Sequence, residues 1–487
     1  MSTEAPEQIE SGVAARSPLA EMLRIAAPTV VGMLSFTIMQ FVDKYFCSRL
    51  GVEELAAAGN GGIAAWLPCS VLMALLGVIN TFVSQHLGAG RPERGAAYAW
   101  SGLWVSFIAW LVVLLPYAVF LPEVFAFMRG VFGLGTVSEK VAGLEATYAR
   151  ILLLGMFFTL GARGLAQYFY GLHRPAVPTV GVVVGNVVNF FLTWGLVFGA
   201  WGLPAWGVAG SAVGTVAGTV VEFAIPAAVF LGRKLRAELG TLAAWRFSGA
   251  HTRELARVGW PAALMFGNEM VCWWVFMAGL VAQFGAAHNA ASWITLQYMH
   301  LSFMPAVGMS IAVQAMVGKC IGAGEPDTAR ERVRLGVMVT MIYMGLCAAA
   351  MVLFREPLVR LFLSAGEAAG GGGVSHANPA EVLEIGARLL VLAAVFQVFD
   401  AVGITMVGAL RGAGDTLWPG IVTMILAWGL IVGGGKALAA WMPEWGALGP
   451  WVGAAAYIIA FALSMAWRWR SGAWRKMKLV DVDGGHG

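Results

Sequence analysis

The sequence predicts an all-α integral membrane protein whose twelve transmembrane helices form two pseudo-symmetric six-helix bundles. Three observations carry this prediction. Of 487 residues, 59% are apolar or aromatic and only 12% are charged, whereas soluble domains carry about 25% charge. The apolar residues fall into twelve runs, each close to the roughly 20 residues needed to cross the hydrocarbon core as a helix. A set of landmarks recurs 234 positions further along the chain. A soluble enzyme, a disordered chain and a collagen are excluded by this composition. Nucleic-acid binding is excluded because the formal net charge of +4 is small and spread over many loops.

Taken in order, the expected spans are 23–47, 57–86, 97–121, 145–169, 176–200, 206–232, 255–283, 289–319, 331–354, 383–409, 417–441 and 448–470. Polar or Gly/Pro-rich breaks separate them. Leu50-Gly51 closes the first and Gly88-Ala89-Gly90-Arg91-Pro92 the second, while the basic stretch Arg233 to Arg257 divides the sixth from the seventh. Gly322-Ala323-Gly324-Glu325-Pro326 follows the eighth, and Gly366 to Pro379 precedes the tenth. The runs are too long for the alternating segments of about ten residues that build membrane barrels.

Basic residues set the expected orientation, because cytoplasmic loops carry an excess of Lys and Arg. With both termini inside, 21 of the 31 basic residues fall on the inner side and 9 on the outer, and Arg163 lies within a span. The split supports cytoplasmic termini and an even number of spans. Five cysteines stand singly in apolar stretches without a CxxC pair or a metal-site spacing, and read as small buried hydrophobes. Residues 1–20 contain Glu4, Glu7 and Glu10 rather than a basic start and an apolar run, and so read as a polar tail and not a cleaved signal peptide.

The internal repeat defines the domains. Leu50-Gly51 and Leu87-Gly88-Ala89-Gly90-Arg91-Pro92 return as Phe284-Gly285 and Ile321-Gly322-Ala323-Gly324-Glu325-Pro326. Pro28 is matched by Pro261 at 233, and Trp194-Gly195-Leu196 by Trp428-Gly429-Leu430 at 234, whereas Gly171 and Pro178 match Gly412 and Pro419 at 241. The expected boundaries are 1–20 for the N-terminal tail, 21–232 for the N-lobe, 233–254 for a cytoplasmic linker, 255–470 for the C-lobe and 471–487 for the C-terminal tail. Two six-span halves enter and leave on one side and pair about an axis along the membrane normal, as in transporters that rock two bundles about a central cavity.

Ionisable groups at membrane depth are expensive, at least about 2.5–3.5 kcal/mol each on insertion scales, and mark function. They are Asp43, Glu222, Glu269, Asp400 and Arg163. Glu269 sits eight residues beyond Pro261 beside Asn268, and Asp400 follows Gln397 at similar depth. Asp43 reads either as an interfacial carboxylate beside Lys44 or as part of the site. Glu222 and Arg163 read either as a pair across spans four and six or as cavity groups. Asn189, Asn268, Gln297 and Gln397, with the aromatic Trp273 and Phe396, complete the expected substrate cavity, where aromatic faces would suit organic cations. Burial favours a protonated carboxyl and a nearby cation favours an ionised one, which is the exchange an antiporter uses. One charge moving through 100 mV supplies about 2.3 kcal/mol, enough for roughly a 40-fold gradient of a neutral substrate. The sequence holds no GxxxxGK[ST] run and no HExxH motif.

Phe41-Val42-Asp43, Leu50-Gly51, Leu55-Ala56-Ala57 and Gly88-Ala89-Gly90-Arg91-Pro92 resemble the first half of the multidrug and toxic compound extrusion (MATE) family, especially its NorM-type branch. Ala286-Ala287-His288-Asn289-Ala290, Val317-Gly318, Gly322-Ala323-Gly324 and Ala409-Leu410-Arg411-Gly412 resemble its repeated elements, so the likeness runs from about 20 to 470. The resemblance implies a two-lobed exporter of cationic amphipathic compounds in exchange for Na+ or H+, without other cofactors. It assigns cation coupling to Asp43, Glu269 and Asp400, with Na+ held at Glu269 and Asp400. Three positions depart from the branch. Phe396 stands where an aromatic hydroxyl is usual, Lys44 where a Thr is usual, and Thr193 where another branch has a second Asp. The expected partners are organic cations and the bilayer, with no nucleic acid, in a monomeric multi-pass protein of the cell membrane. A flippase for lipid-linked sugars is the alternative, but it should line its cavity with Lys and Arg, and the ionisable groups singled out at membrane depth are one Arg against four acids.

Overall fold

The computed structural model describes residues 17–132, 138–368, 378–477 and 479–480. Twelve helices in it are long and apolar enough to cross a membrane. Spans one to six are Pro18–Ser48, Glu53–Gly88, Pro92–Val119, Glu139–Gly171, Ala176–Phe198 and Val208–Leu231. Spans seven to twelve are Gly249–Phe284, Ala286–Gly322, Pro326–Leu353, Pro379–Gly412, Leu417–Trp441 and Leu448–Arg470. Where the sequence marks only an apolar core, the helices run on past it: span eight has 37 residues, about 55 Å at 1.5 Å per residue. Polar side chains set several starts, since Ser17, Ser138, Ser248 and Asn378 each accept a backbone N–H from the first turn they cap.

Two further helices, Leu121–Phe132 and Arg355–Ala368, follow spans three and nine at equivalent places. Their first residues are 234 apart, so the duplication includes them although they were not anticipated as separate elements. From span four and its partner span ten onward the offset rises to 240 or 241 and stays there to the end of the bundle. The shift therefore enters before Pro379, where the extra Gly-rich residues lie; 369–377 are outside the described residues. It also overturns one landmark. With spans five and eleven starting 241 apart, the Trp194 and Trp428 triplets at 234 occupy different turns, so their likeness is coincidental.

Within each lobe, glycines let helix backbones touch, the usual membrane solution where lipid removes any hydrophobic drive for association. Spans five and six show it most clearly. A Cβ built on Gly185 would lie 2.6 Å from the Gly218 carbonyl oxygen, and one on Gly218 2.7 Å from that of Gly185.

The lobes meet at the face that carries the start of span one and the end of span twelve. Gly88 and Gly322, equivalent residues closing spans two and eight, each abut the other lobe's backbone: a Cβ on either would sit 1.9 Å from the carbonyl oxygen of Lys319 or Gln85, respectively. Ser84 and Gly318, also equivalent, touch each other between them. Side chains then donate across the boundary to main-chain carbonyls: Thr81 Oγ1 to Arg411 (2.8 Å), Gln85 Nε2 to Gly412 (3.0 Å) and Gln314 Nε2 to Gly77 (3.0 Å). Glu21 adds ion pairs to Arg332 at 3.2 Å and Lys319 at 3.8 Å. The stretch expected as a C-terminal tail contributes too. Trp474 is fully buried and stacks on Trp469 at 4.1 Å, Arg475 pairs with Asp327, and Leu479 packs against the N-lobe core.

At the opposite face the lobes diverge. Val30 of span one touches Gly308 of span eight. Eleven residues are about three helical turns, so Phe41 and Gln297 extend these same facing stripes away from the seal. Phe41 is 71% exposed and Gln297 is exposed. The described conformation is a cleft shut at the terminal face and open at the other.

Gly322→Val should force the seal apart, because the new side chain has no room beside the Gln85 carbonyl. In a cysteine-free background, labelling of Ala315→Cys by a membrane-permeant maleimide should rise several-fold over the same reporter with Gly322 intact. Unchanged labelling would show that the glycine contact does not hold this face closed.

Candidate functional site

The acids at membrane depth separate into two sites, one in each lobe. In the N-lobe, Asp43 leaves only 6% of its surface exposed. It points away from the cleft, since thirteen residues from Val30 bring it to the far side of span one. There Thr215 of span six lies 2.9 Å from Asp43 Oδ2, and Asn189 Nδ2 of span five donates to the Thr215 hydroxyl at 3.3 Å. Thr215 Oγ1 also lies 3.0 Å from the Ser211 carbonyl, and its single proton can serve only one acceptor at a time. Asp43 Oδ1 and the buried Thr193 Oγ1 have no hydrogen-bond partner. Lys44 is exposed and makes no described ion pair with Asp43, because consecutive helical residues face different directions.

Glu222 and Arg163 face one another closely enough for the Arg163 charge to act on Glu222, without direct contact. The Arg163 guanidinium lies over the Phe36 ring at 5.0 Å, and no ion pair joins it to Glu222 among the described residues. Glu222 is half-buried on the side of span six facing span five, where Gly181 and Gly185 make room for its turn of helix.

The C-lobe site joins spans seven, ten and twelve. Tyr457 Oη donates to Glu269 Oε1 at 3.0 Å, and Asp400 is near enough for both carboxylates and the phenol to act on one another electrostatically. Two carboxylates in a low-dielectric space repel, and either a proton on one or a small cation between them relieves the repulsion. The donors are all hard oxygens, which suits Na+ as well as a proton. Among the described residues no three His, Cys, Asp or Glu side chains converge as a metal-binding set.

The remaining cavity candidates divide by place. Gln297 faces the open cleft. Asn268 instead accepts the Trp428 indole N–H at 2.7 Å, tying span seven to span eleven. Gln397 is buried and bonds Ser302 of span eight, with its Oε1 left unpartnered. Trp273 packs edge-on against Phe276 at 5.4 Å. Phe396 is 0% exposed, with its ring 6.5 Å from that of Trp451; it belongs to the C-lobe core and does not line an open cavity. Its aromatic bulk fills the space that a helix face buried among three neighbours must fill.

Thr215 and Tyr457 were missed by sequence reasoning. A hydroxyl in a Gly- and Thr-rich span looks like any helix-packing residue, and Tyr457 lies 188 positions from Glu269. Its one sequence signal is a phenol in the middle of an otherwise apolar span, where a buried hydroxyl needs a partner.

A two-lobed, pseudo-symmetric helical bundle with acids at membrane depth in both lobes and a cleft closed at one face defines a secondary transporter of the alternating-access kind. The MatE family model matches residues 28–194 and 261–433, two segments that begin at the paired prolines Pro28 and Pro261. The chain is 31% identical over 448 residues to the multidrug resistance protein NorM of Burkholderia vietnamiensis, covering 91% of this chain and 92% of that protein. It is 29% identical over 455 residues to the multidrug resistance protein PmpM of Pseudomonas aeruginosa, covering 91% and 90%. Its fold matches the outward-facing conformation of a multidrug resistance MATE family transporter of the MOP superfamily with a TM-score of 0.81 at 21% identity, over 94% of this chain and 97% of that one. The chain belongs to the MatE family.

Removing the Tyr457 hydroxyl should leave a half-buried carboxylate oxygen without its partner, a loss of about 1 kcal/mol. Tyr457→Phe should therefore lower the thermal midpoint of the purified protein. The drop should be smaller in a Glu269→Gln background, where the acceptor is uncharged. Equal drops in the two backgrounds would show that the phenol does not act on Glu269.

Proposed function

We propose that this protein is an ion-coupled multidrug exporter of the cell membrane. It expels cationic amphipathic compounds while Na+ or H+ enters, acts as a monomer and carries both termini in the cytoplasm. The observation that bears most weight is the Tyr457 hydroxyl donating to Glu269 at 3.0 Å inside the C-lobe, with Asp400 close enough for the two carboxylates to repel. An ion bound there offsets one of the two negative charges, and an organic cation in the cleft competes for the same negative field. Exchange follows when the lobes rock about the seal and expose the site to the other side.

The printed names of the relatives, multidrug resistance protein NorM and multidrug resistance protein PmpM, support drug efflux. A flippase for lipid-linked sugars is not favoured, because the relatives' printed names are those of multidrug resistance proteins. The buried Asp43, with Thr215 and Asn189 around it, supplies a second candidate coupling site in the N-lobe.

Asp43→Asn, Glu269→Gln and Asp400→Asn should each lose protection of efflux-deficient cells against organic-cation drugs at normal expression. If all three still protect like wild type, the coupling assignment is wrong. Dye efflux from everted vesicles should stop when one of the two gradients, Na+ or H+, is collapsed and persist when the other is. Efflux that survives the loss of both gradients would rule out ion-driven antiport.

A further inference from the structure

The segment joining the lobes is more than a tether. After the short helix Arg233–Leu239, residues 240–248 form a turn-rich strap before span seven begins at Gly249. Two tryptophans of span three, one helical turn apart, hold it: Trp100 Nε1 donates to the Thr241 carbonyl at 2.7 Å and Trp104 Nε1 to the Trp245 carbonyl at 2.9 Å. Thr241 in turn donates to the Phe230 carbonyl of span six at 2.7 Å. The strap is thus pinned along the side of two spans.

Its depth follows from helix geometry. Span six has 24 residues, about 36 Å at 1.5 Å each, against about 30 Å of hydrocarbon. Phe230, whose carbonyl holds Thr241, is next to its last residue, Leu231. The start of the strap therefore lies at the level of the membrane interface, not free in the aqueous phase. Its side chains suit that level: Leu242, Trp245 and Phe247 are 36%, 50% and 53% exposed.

The charges around the strap are one-sided. From Arg233 to Arg257 there are six exposed cations, and none forms an ion pair with a described residue. The two acids in the stretch are already engaged, Glu238 by Arg174 at 2.5 Å and Glu254 by the Tyr98 hydroxyl at 2.5 Å. Arg236, Gly240, Leu242, Ala243 and Trp245 line a surface groove of about 480 Å³. The groove offers a guanidinium for a phosphate beside an indole and a leucine for the glycerol and upper acyl chain, the usual chemistry of anionic-lipid recognition at a basic membrane surface.

We propose that this groove is a binding site for an anionic phospholipid, with Arg236 holding the phosphate and the 240–248 strap seated in the headgroup region. The occupant is a lipid, since free phosphate would gain nothing from the exposed Leu242 and Trp245. The full-length protein, purified in detergent, is titrated with phosphatidylglycerol, phosphatidylcholine or inorganic phosphate and examined by native mass spectrometry. Phosphatidylglycerol should remain bound at least tenfold more than phosphatidylcholine, and millimolar phosphate should not displace it. Arg236→Gln should bring phosphatidylglycerol down to the phosphatidylcholine level, whereas Arg253→Gln, an exposed cation outside the groove, should not. Equal binding by wild type and Arg236→Gln, an equal loss with Arg253→Gln, or displacement by phosphate would each overturn the proposal. Brominated phosphatidylcholine in nanodiscs supplies a second readout. It should quench wild type more than Trp245→Phe, and identical quenching would place the strap outside the interface.

Discussion

The structure turns on the contact between the ends of spans two and eight. Two helices that meet backbone to backbone leave no space for a Cβ, and Gly88, Gly318 and Gly322 provide that absence. The polar contacts around them are of a particular kind. Arg411 and Gly412 close span ten, where the last carbonyls of a helix lack intrahelical partners. Thr81 and Gln85 reach across from the other lobe and satisfy them. One lobe therefore caps a helix of the other. Such a seal is reversible: when the lobes part, water can take the place of each side-chain donor at modest net cost. An apolar seal of the same area would have to expose its whole surface to open.

The frame is symmetric but the chemistry on it is not. The residue equivalent to Asp43 in the second lobe is Phe276, fully buried in the C-lobe core. Glu269 corresponds to the neighbourhood of Ser35 and Phe36, where Ser35 accepts from Asn186 and Phe36 lies under Arg163. Each lobe has thus kept the helix packing of the duplication while placing its carboxylate at its own depth. The duplicated frame thus carries two different polar sites, which a strictly symmetric pair would not give.

Much of the architecture was legible because lipid enforces it. A chain that satisfies its backbone within hydrocarbon has to be helical, so apolar length alone marked all twelve spans, and the repeated glycines marked the two helix ends that touch. Asp43, Glu269 and Asp400 were legible for the same reason, as costly residues that the bilayer penalises. The partners of those acids were not. Thr215 and Tyr457 are inexpensive residues, and only a shared bundle interior reveals that they face a carboxylate. Phe396 misled in the other direction: aromatic residues near an acid line cavities and fill cores with equal ease, and its neighbour Trp451 decided for the core. The helices Leu121–Phe132 and Arg355–Ala368 were hidden because they directly continue spans three and nine in sequence.

By itself the sequence determined the class and the number of spans and singled out three costly acids, since each follows from the cost of polar groups in hydrocarbon, residue by residue; the recurring motifs showed the duplication. Tertiary structure alone decided that Asp43 belongs to one site and Glu269 and Asp400 to another, that one face is sealed, and that the linker lies along spans three and six. Those outcomes depend on which helix faces meet across hundreds of residues. A helical face is fixed by about 100° per residue, but its neighbour is chosen only by the packing of the whole bundle.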